Sequence, residues 1–190
     1  GEEKNPAISL VIEPRLQSIL QQDSTLQQRF VGEGIIDEVF LGIEEEIYAL
    51  LKRHLLSQDV IIVHNMATLI HNLPFLSAFK RFSADHPEKK IIIWAHDQTY
   101  VDEEQIKWEK DGVNLTQEQK TLLVTPIPGA TYVAISQTFK KLLKEVMSLS
   151  DESVVVIPNG LNFKRFFHLS EHAWHAIQDE HILVSYPLLF

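Results

Sequence analysis

Ile91-Ile92-Ile93-Trp94-Ala95-His96-Asp97 runs apolar up to Ala95 and closes on an imidazole and a carboxylate. Three other segments repeat the pattern: Val60-Ile61-Ile62-Val63-His64-Asn65, Tyr132-Val133-Ala134-Ile135-Ser136 and Val154-Val155-Val156-Ile157-Pro158-Asn159-Gly160. Short, continuous β-branched runs are the mark of parallel strands with helices covering both faces of the sheet. In such sheets ligands bind outside the carboxyl ends of the strands. His64, Asn65, His96, Asp97, Ser136 and Asn159 are therefore candidates for one shared crevice, and an enzyme is expected.

The segments between these runs read as helices. From Ile36 to Leu56 apolar residues recur with the 3.6-residue period of an amphipathic helix. Its acids (Asp37, Glu38, Glu44) lie early and its bases (Lys52, Arg53) late, as the helix dipole favours. A second helix is expected from about Asn72 to Ala84, with Pro74 in its first turn. A third starts at Ser136 as its cap and runs through Met147. A His-rich helix is expected over roughly residues 164–178. Ile8 to Ile12 reads as a further strand, and 102–128 as helix plus a mobile loop. Strands alternating with helices imply an α/β, Rossmann-like sheet with right-handed crossovers. The break at Pro158-Asn159-Gly160 is expected to use Gly160 at a positive φ.

Composition narrows the function. A length of 190 residues allows one domain with a sizeable core. The net charge of −9 argues against a nucleic-acid partner, which requires basic clusters to neutralise phosphates. The largest such cluster, Lys89-Lys90 with Lys80 and Arg81, has two readings, contact with an anionic membrane or substrate and a solvated helix face, of which the second is the better account. Without cysteine there is no disulfide or thiolate metal site, which fits a cytoplasmic location. No apolar stretch approaches the roughly 18 residues of a membrane span, so no integral membrane segment is expected. The start at Gly1 and the strand-like end at Ile182–Phe190 both read as cuts within a longer protein.

Each polar cluster carries two readings. His96-Asp97 is either a site pair, donating to and orienting hydroxyls, or a capped turn with a solvated carboxylate. Asn65 suits hydroxyl recognition but is also a routine turn former, and the turn is the simpler reading. His71-Asn72 repeats the pair seven residues on. His168, His172 and His175 share one helical face. A zinc site there would need further ligands and supporting groups, so a half-buried surface helix is the better account.

Ile157-Pro158-Asn159-Gly160-Leu161-Asn162, preceded by Val133-Ala134-Ile135-Ser136 and a helix, resembles the hinge-side signature of family 4 glycosyltransferases of the GT-B fold. Asp59-Val60-Ile61-Ile62-Val63-His64-Asn65 and Ile93-Trp94-Ala95-His96-Asp97 are similar to the acceptor-side strands of that family. The resemblance covers about Ile36 to Phe190. It implies two facing Rossmann-like domains, the first binding the acceptor and the second a nucleotide sugar. The implied reaction is metal-independent transfer with retention of anomeric configuration, and the implied location is cytoplasmic. The partners implied are a nucleotide sugar and a glycan, lipid or small-molecule acceptor, with no cofactor beyond the donor substrate. By the same resemblance His96 contacts the transferred sugar and Asp97 neighbours the acceptor. His64, Asn65 and Ser136 line the crevice, and Asn159 and Gly160 shape the linker beside it.

On this basis residues 1–160 are expected to form the acceptor-side domain, lacking the family's first strand and glycine-rich loop. Residues 161–190 would be the linker and the start of the donor-binding domain. The donor-reading glutamates and basic pair are not found in the chain, so the resemblance implies no transfer by these 190 residues alone. The alternatives are a non-catalytic Rossmann-like binding module and a metal-dependent hydrolase using His96-Asp97 with other histidines.

Overall fold

The computed structural model describes residues 13–16, 23–99 and 115–160. The expected strand at Ile8–Ile12, the loop residues up to 114 and the His-rich helix at 164–178 lie outside the described residues. Two compact units divide the chain, residues 1–156 and 157–190.

The first unit is an α/β fold with a four-stranded parallel sheet flanked by helices. Helix α1 spans Glu38–Leu55, strand β1 Val60–His64, α2 Leu73–Asp85 and β2 Lys90–Ala95. Helix α3 follows at Gln117–Val124, then β3 at Thr131–Ala134, α4 at Gln137–Met147 and β4 at Val154–Val156. The helices begin where the side chains can cap them. Asp37 accepts from the amides of Val39 and Phe40 at 3.0 and 3.2 Å. Asn72 accepts from Phe75 N at 3.0 Å, and Pro74 sits in the first turn where it costs no hydrogen bond. Thr116 and Gln119 form a reciprocal capping box on α3.

Strand order is β1-β2-β3-β4, so every crossover steps in the same direction. Crossovers of one hand that step one way place their helices on one face of the sheet. Burial agrees. Ile61, Val63, Ile91, Ile93, Ala95, Tyr132 and Ala134 are buried together with Ile47, Leu76, Phe79, Phe82, Leu123 and Leu143 from the helices, in one cluster. On the other face Val60, Ile62 and Val155 are 49%, 58% and 42% exposed.

Polar contacts lock the helical layer. The Arg81 guanidinium lies 3.9 Å from the Tyr48 ring centre and 2.6 Å from Glu45, while the Tyr48 hydroxyl donates to Asp85 at 2.6 Å. This joins α1 to α2 at the solvent edge, where such pairs contribute roughly 0–1 kcal/mol. Deeper in, fully buried Gln119 donates to Phe30 O at 2.6 Å, tying the helical turn at 24–32 to α3. The Tyr132 hydroxyl accepts from Ile127 N at 2.9 Å, and burial pushes its phenol up to about 12.

The basic cluster expected to be a solvated face is instead shared among separate contacts. Lys80 donates to the carbonyls of Leu122 and Thr125 at the end of α3, and burial lowers its ammonium to about 8. Arg81 is engaged by Glu45, and Lys89 donates to Leu56 O at 2.7 Å. Among the described residues no helix is long and apolar enough to cross a membrane.

The turn chemistry also differs from expectation. Positive φ occurs at Gly34 (70°), Gly129 (68°), Asn65 (47°) and Ser148 (52°), and not at Gly160. The tight turn assigned to Pro158-Asn159-Gly160 is corrected accordingly: the backbone there stays out of the left-handed region. Gly129 does need its freedom, because it reverses the chain between Ile127 and β3. Gly129→Ala should cost about 1 kcal/mol through a strained φ, although its Cβ would meet nothing within 4 Å. Gly160→Ala, equally open, should stay within roughly 0.5 kcal/mol of the parent. Urea unfolding midpoints of the two variants check the pair. Equal losses would remove the distinction.

Candidate functional site

The carboxyl ends of β1 and β2 carry the densest polar cluster of the sheet rim. His64 is the last residue of β1 and pairs in register with Trp94 of β2. Two residues beyond Trp94, on the same side of the strand, comes His96. The two Nε2 atoms are 3.0 Å apart, so one ring donates while the other accepts. The ring centres are 4.7 Å apart with planes at 55°. The Trp94 ring backs the pair, 6.5 Å from His64.

Asn65 fixes this arrangement. Its φ of 47° is a conformation Asn tolerates better than most side chains. Its amide donates to Trp94 O at 2.8 Å, carrying the sheet ladder one step past β1. The side-chain Oδ1 then accepts from His96 N at 3.0 Å and Asp97 N at 3.2 Å. Its Nδ2 donates to Asp97 Oδ2 at 3.0 Å. One side chain thus holds the main chain of both candidate catalytic residues and orients the carboxylate.

Thr68, fully buried, supports the rim from below. Its hydroxyl donates to Asp97 O at 2.6 Å, and its carbonyl accepts from Thr99 N at 3.1 Å. Sequence reasoning missed Thr68, because a threonine within Ala67-Thr68-Leu69-Ile70 offers no motif. His71 lies nearby. Burial lowers its pKa, and the Asp97 charge partly opposes that shift. Its neighbour Asn72 is occupied as a helix cap and as a donor to Arg15 O at 3.1 Å.

The other candidates are placed differently. Ser136 follows β3 by two residues, as Asp97 follows β2, and its Oγ accepts from Phe139 N at 3.0 Å to cap α4. Asn159 and Gly160 are exposed and belong to the second unit. His168, His172 and His175 lie outside the described residues. Among the described residues no group of three or more His, Asp or Glu is arranged to hold a metal ion.

The chain was compared with models of known protein families, with curated proteins and with solved structures, and nothing matches. Function must therefore be argued from the rim itself. Among the described residues it presents two imidazoles and one carboxylate beside the Trp94 ring. Donors and acceptors at fixed spacing suit a ligand rich in hydroxyls. A cavity of about 310 Å³ lies elsewhere, between α1, α2 and α3, lined by Phe40, Leu41, Glu44, Lys80, Leu122 and Thr125. Its lysine is committed to capping α3, so the rim remains the candidate site.

Proposed function

We propose that this chain supplies the acceptor-side part of a retaining glycosyltransferase of the GT-B fold, acting on a nucleotide sugar and a hydroxylated acceptor. The observation that carries this reading is the lock of Asn65 on His96 and Asp97 at the rim of adjacent parallel strands. It supports the reading because it puts an imidazole and a carboxylate where a Rossmann-like sheet binds its ligand. The strings at 59–65, 93–97 and 157–162 support it independently through their likeness to that family.

In this reading His96 donates to a hydroxyl of the transferred sugar, with His64 holding the ring through its own Nε2. Asp97 accepts from the acceptor hydroxyl. Asn65 and Thr68 are positioning residues that touch neither substrate. Asn159 and Gly160 belong to the linker between the domains, and the donor is held by the second domain. The reaction uses no metal ion and no further cofactor, in a cytoplasmic setting.

A second reading is a non-catalytic Rossmann-like binding module. It draws on the fact that Asn65 and Ser136, both candidates for ligand contact, have side-chain atoms already spent on the protein's own amides.

The test is a screen of nucleotide sugars with the full-length natural protein, followed by His96→Ala. Turnover in the variant should fall roughly ten- to a hundredfold, the worth of one hydrogen bond to a charged or developing-charge centre. The melting temperature should hold, because His96 is half-exposed at the rim. Absence of transfer with every nucleotide sugar, while ligand binding persists, would favour the module.

A further inference from the structure

We propose that His64 and His96 together chelate a first-row divalent transition-metal ion, bound through both Nε2 atoms with water completing its shell. Zinc lies about 2.0–2.1 Å from an imidazole nitrogen, so two such nitrogens on one tetrahedral ion stand roughly 3.4 Å apart. Here they stand at 3.0 Å, a few tenths of an ångström from that spacing.

The directions fit as well. Two rings aimed straight at each other across a 3.0 Å gap would have centres separated by that gap plus both ring radii. The observed separation of 4.7 Å is shorter, so the ring axes bend away from the line joining the nitrogens. Bent axes are what convergence on a third atom requires. A linear hydrogen bond between imidazoles does not need them.

The backbone beneath the pair is fixed before any ion arrives. His64 ends a strand that is hydrogen-bonded to β2, and the His96 amide is held by Asn65. Little ordering remains to be done on binding, which is the main cost of chelation by surface side chains. An ion displaces the proton from between the two Nε2 atoms, and the ring that gave it up takes a proton at its Nδ1, so both ligands are neutral imidazoles and no net proton is released.

Imidazole ligands suit copper, nickel and zinc, and affinity across the first row peaks at Cu²⁺. A two-imidazole site should follow that order. Among the described residues these two side chains are the protein ligands, and water or a small anion completes the shell. Binding itself does not depend on the glycosyltransferase reading. Should that reading hold, an ion on His96 excludes the sugar, and transition metals become inhibitors of the enzyme.

The experiment is a calorimetric titration of the 190-residue chain with Cu²⁺, read in parallel by electron paramagnetic resonance. The parent should bind one ion with hyperfine coupling from two imidazole nitrogens. His64→Gln and His96→Gln should each weaken that site at least tenfold while keeping the parent's circular dichroism. The triple variant His168→Gln, His172→Gln, His175→Gln serves as the control and should retain it. Equal affinity in the parent and both single variants, loss of the site only in the triple variant, or no binding at all would each overturn the proposal. Sugar transfer is not part of the readout, so failure here leaves the glycosyltransferase reading standing.

Discussion

Asn65→Ala should destabilise the first unit by on the order of 3 kcal/mol and lower any activity of the rim with it. Two effects add. Alanine at a φ of 47° is strained by roughly 1–2 kcal/mol, where Asn is tolerated. The variant also loses the contacts to His96 N, Asp97 N and Asp97 Oδ2, each worth about 0.5–1.5 kcal/mol before solvent is allowed to replace them. Asn65→Gly separates the two effects. Glycine restores the backbone freedom but not the hydrogen bonds, so it should recover about 1 kcal/mol relative to alanine while leaving His96 and Asp97 loose. Urea unfolding gives the stabilities, and the transfer assay gives the function. If alanine and glycine lost the same amount, the left-handed conformation would carry no strain at this position.

Phe79→Ala should cost about 3–5 kcal/mol, a large share of the roughly 5–15 kcal/mol that holds a domain together. Phe79 is fully buried on α2, its ring 5.5 Å from Phe75 and 6.2 Å from Phe82 in a stacked row facing the sheet. Removing the central ring opens a void between two rigid neighbours that cannot close over it, and both aromatic contacts go at once. Phe79→Leu, which keeps most of the volume, should lose far less, near 1.5 kcal/mol or below. A loss under about 1 kcal/mol for the alanine variant would mean that α2 moves in to fill the gap.

The elements were legible because their signals are local. Apolar runs at 60–63, 91–95, 132–134 and 154–156 are strands to within a residue or two, and the caps at Asp37, Asn72 and Ser136 lie where side-chain chemistry places them. What stayed hidden depends on register. Nothing in the spacing of Asn65 and His96 says that one side chain will accept the other's amide. That contact exists only because His64 pairs with Trp94. The dispersal of Lys80, Arg81 and Lys89 likewise depends on which carbonyls and carboxylates the folded helices bring near. Gly160 misled for the opposite reason. An Asn-Gly pair signals a turn, yet positive φ fell to two other glycines, Gly34 and Gly129, and to Asn65 and Ser148, where a strand end and a helix end demanded it.

The order of the strands has one more effect, on how the chain emerges during synthesis. Each described strand after the first hydrogen-bonds to the strand made just before it. From β2 onward each described strand finds a partner already made, and only β1 waits for a later one. The sheet can lengthen strand by strand as residues appear, each helix closing over the pair it has just joined.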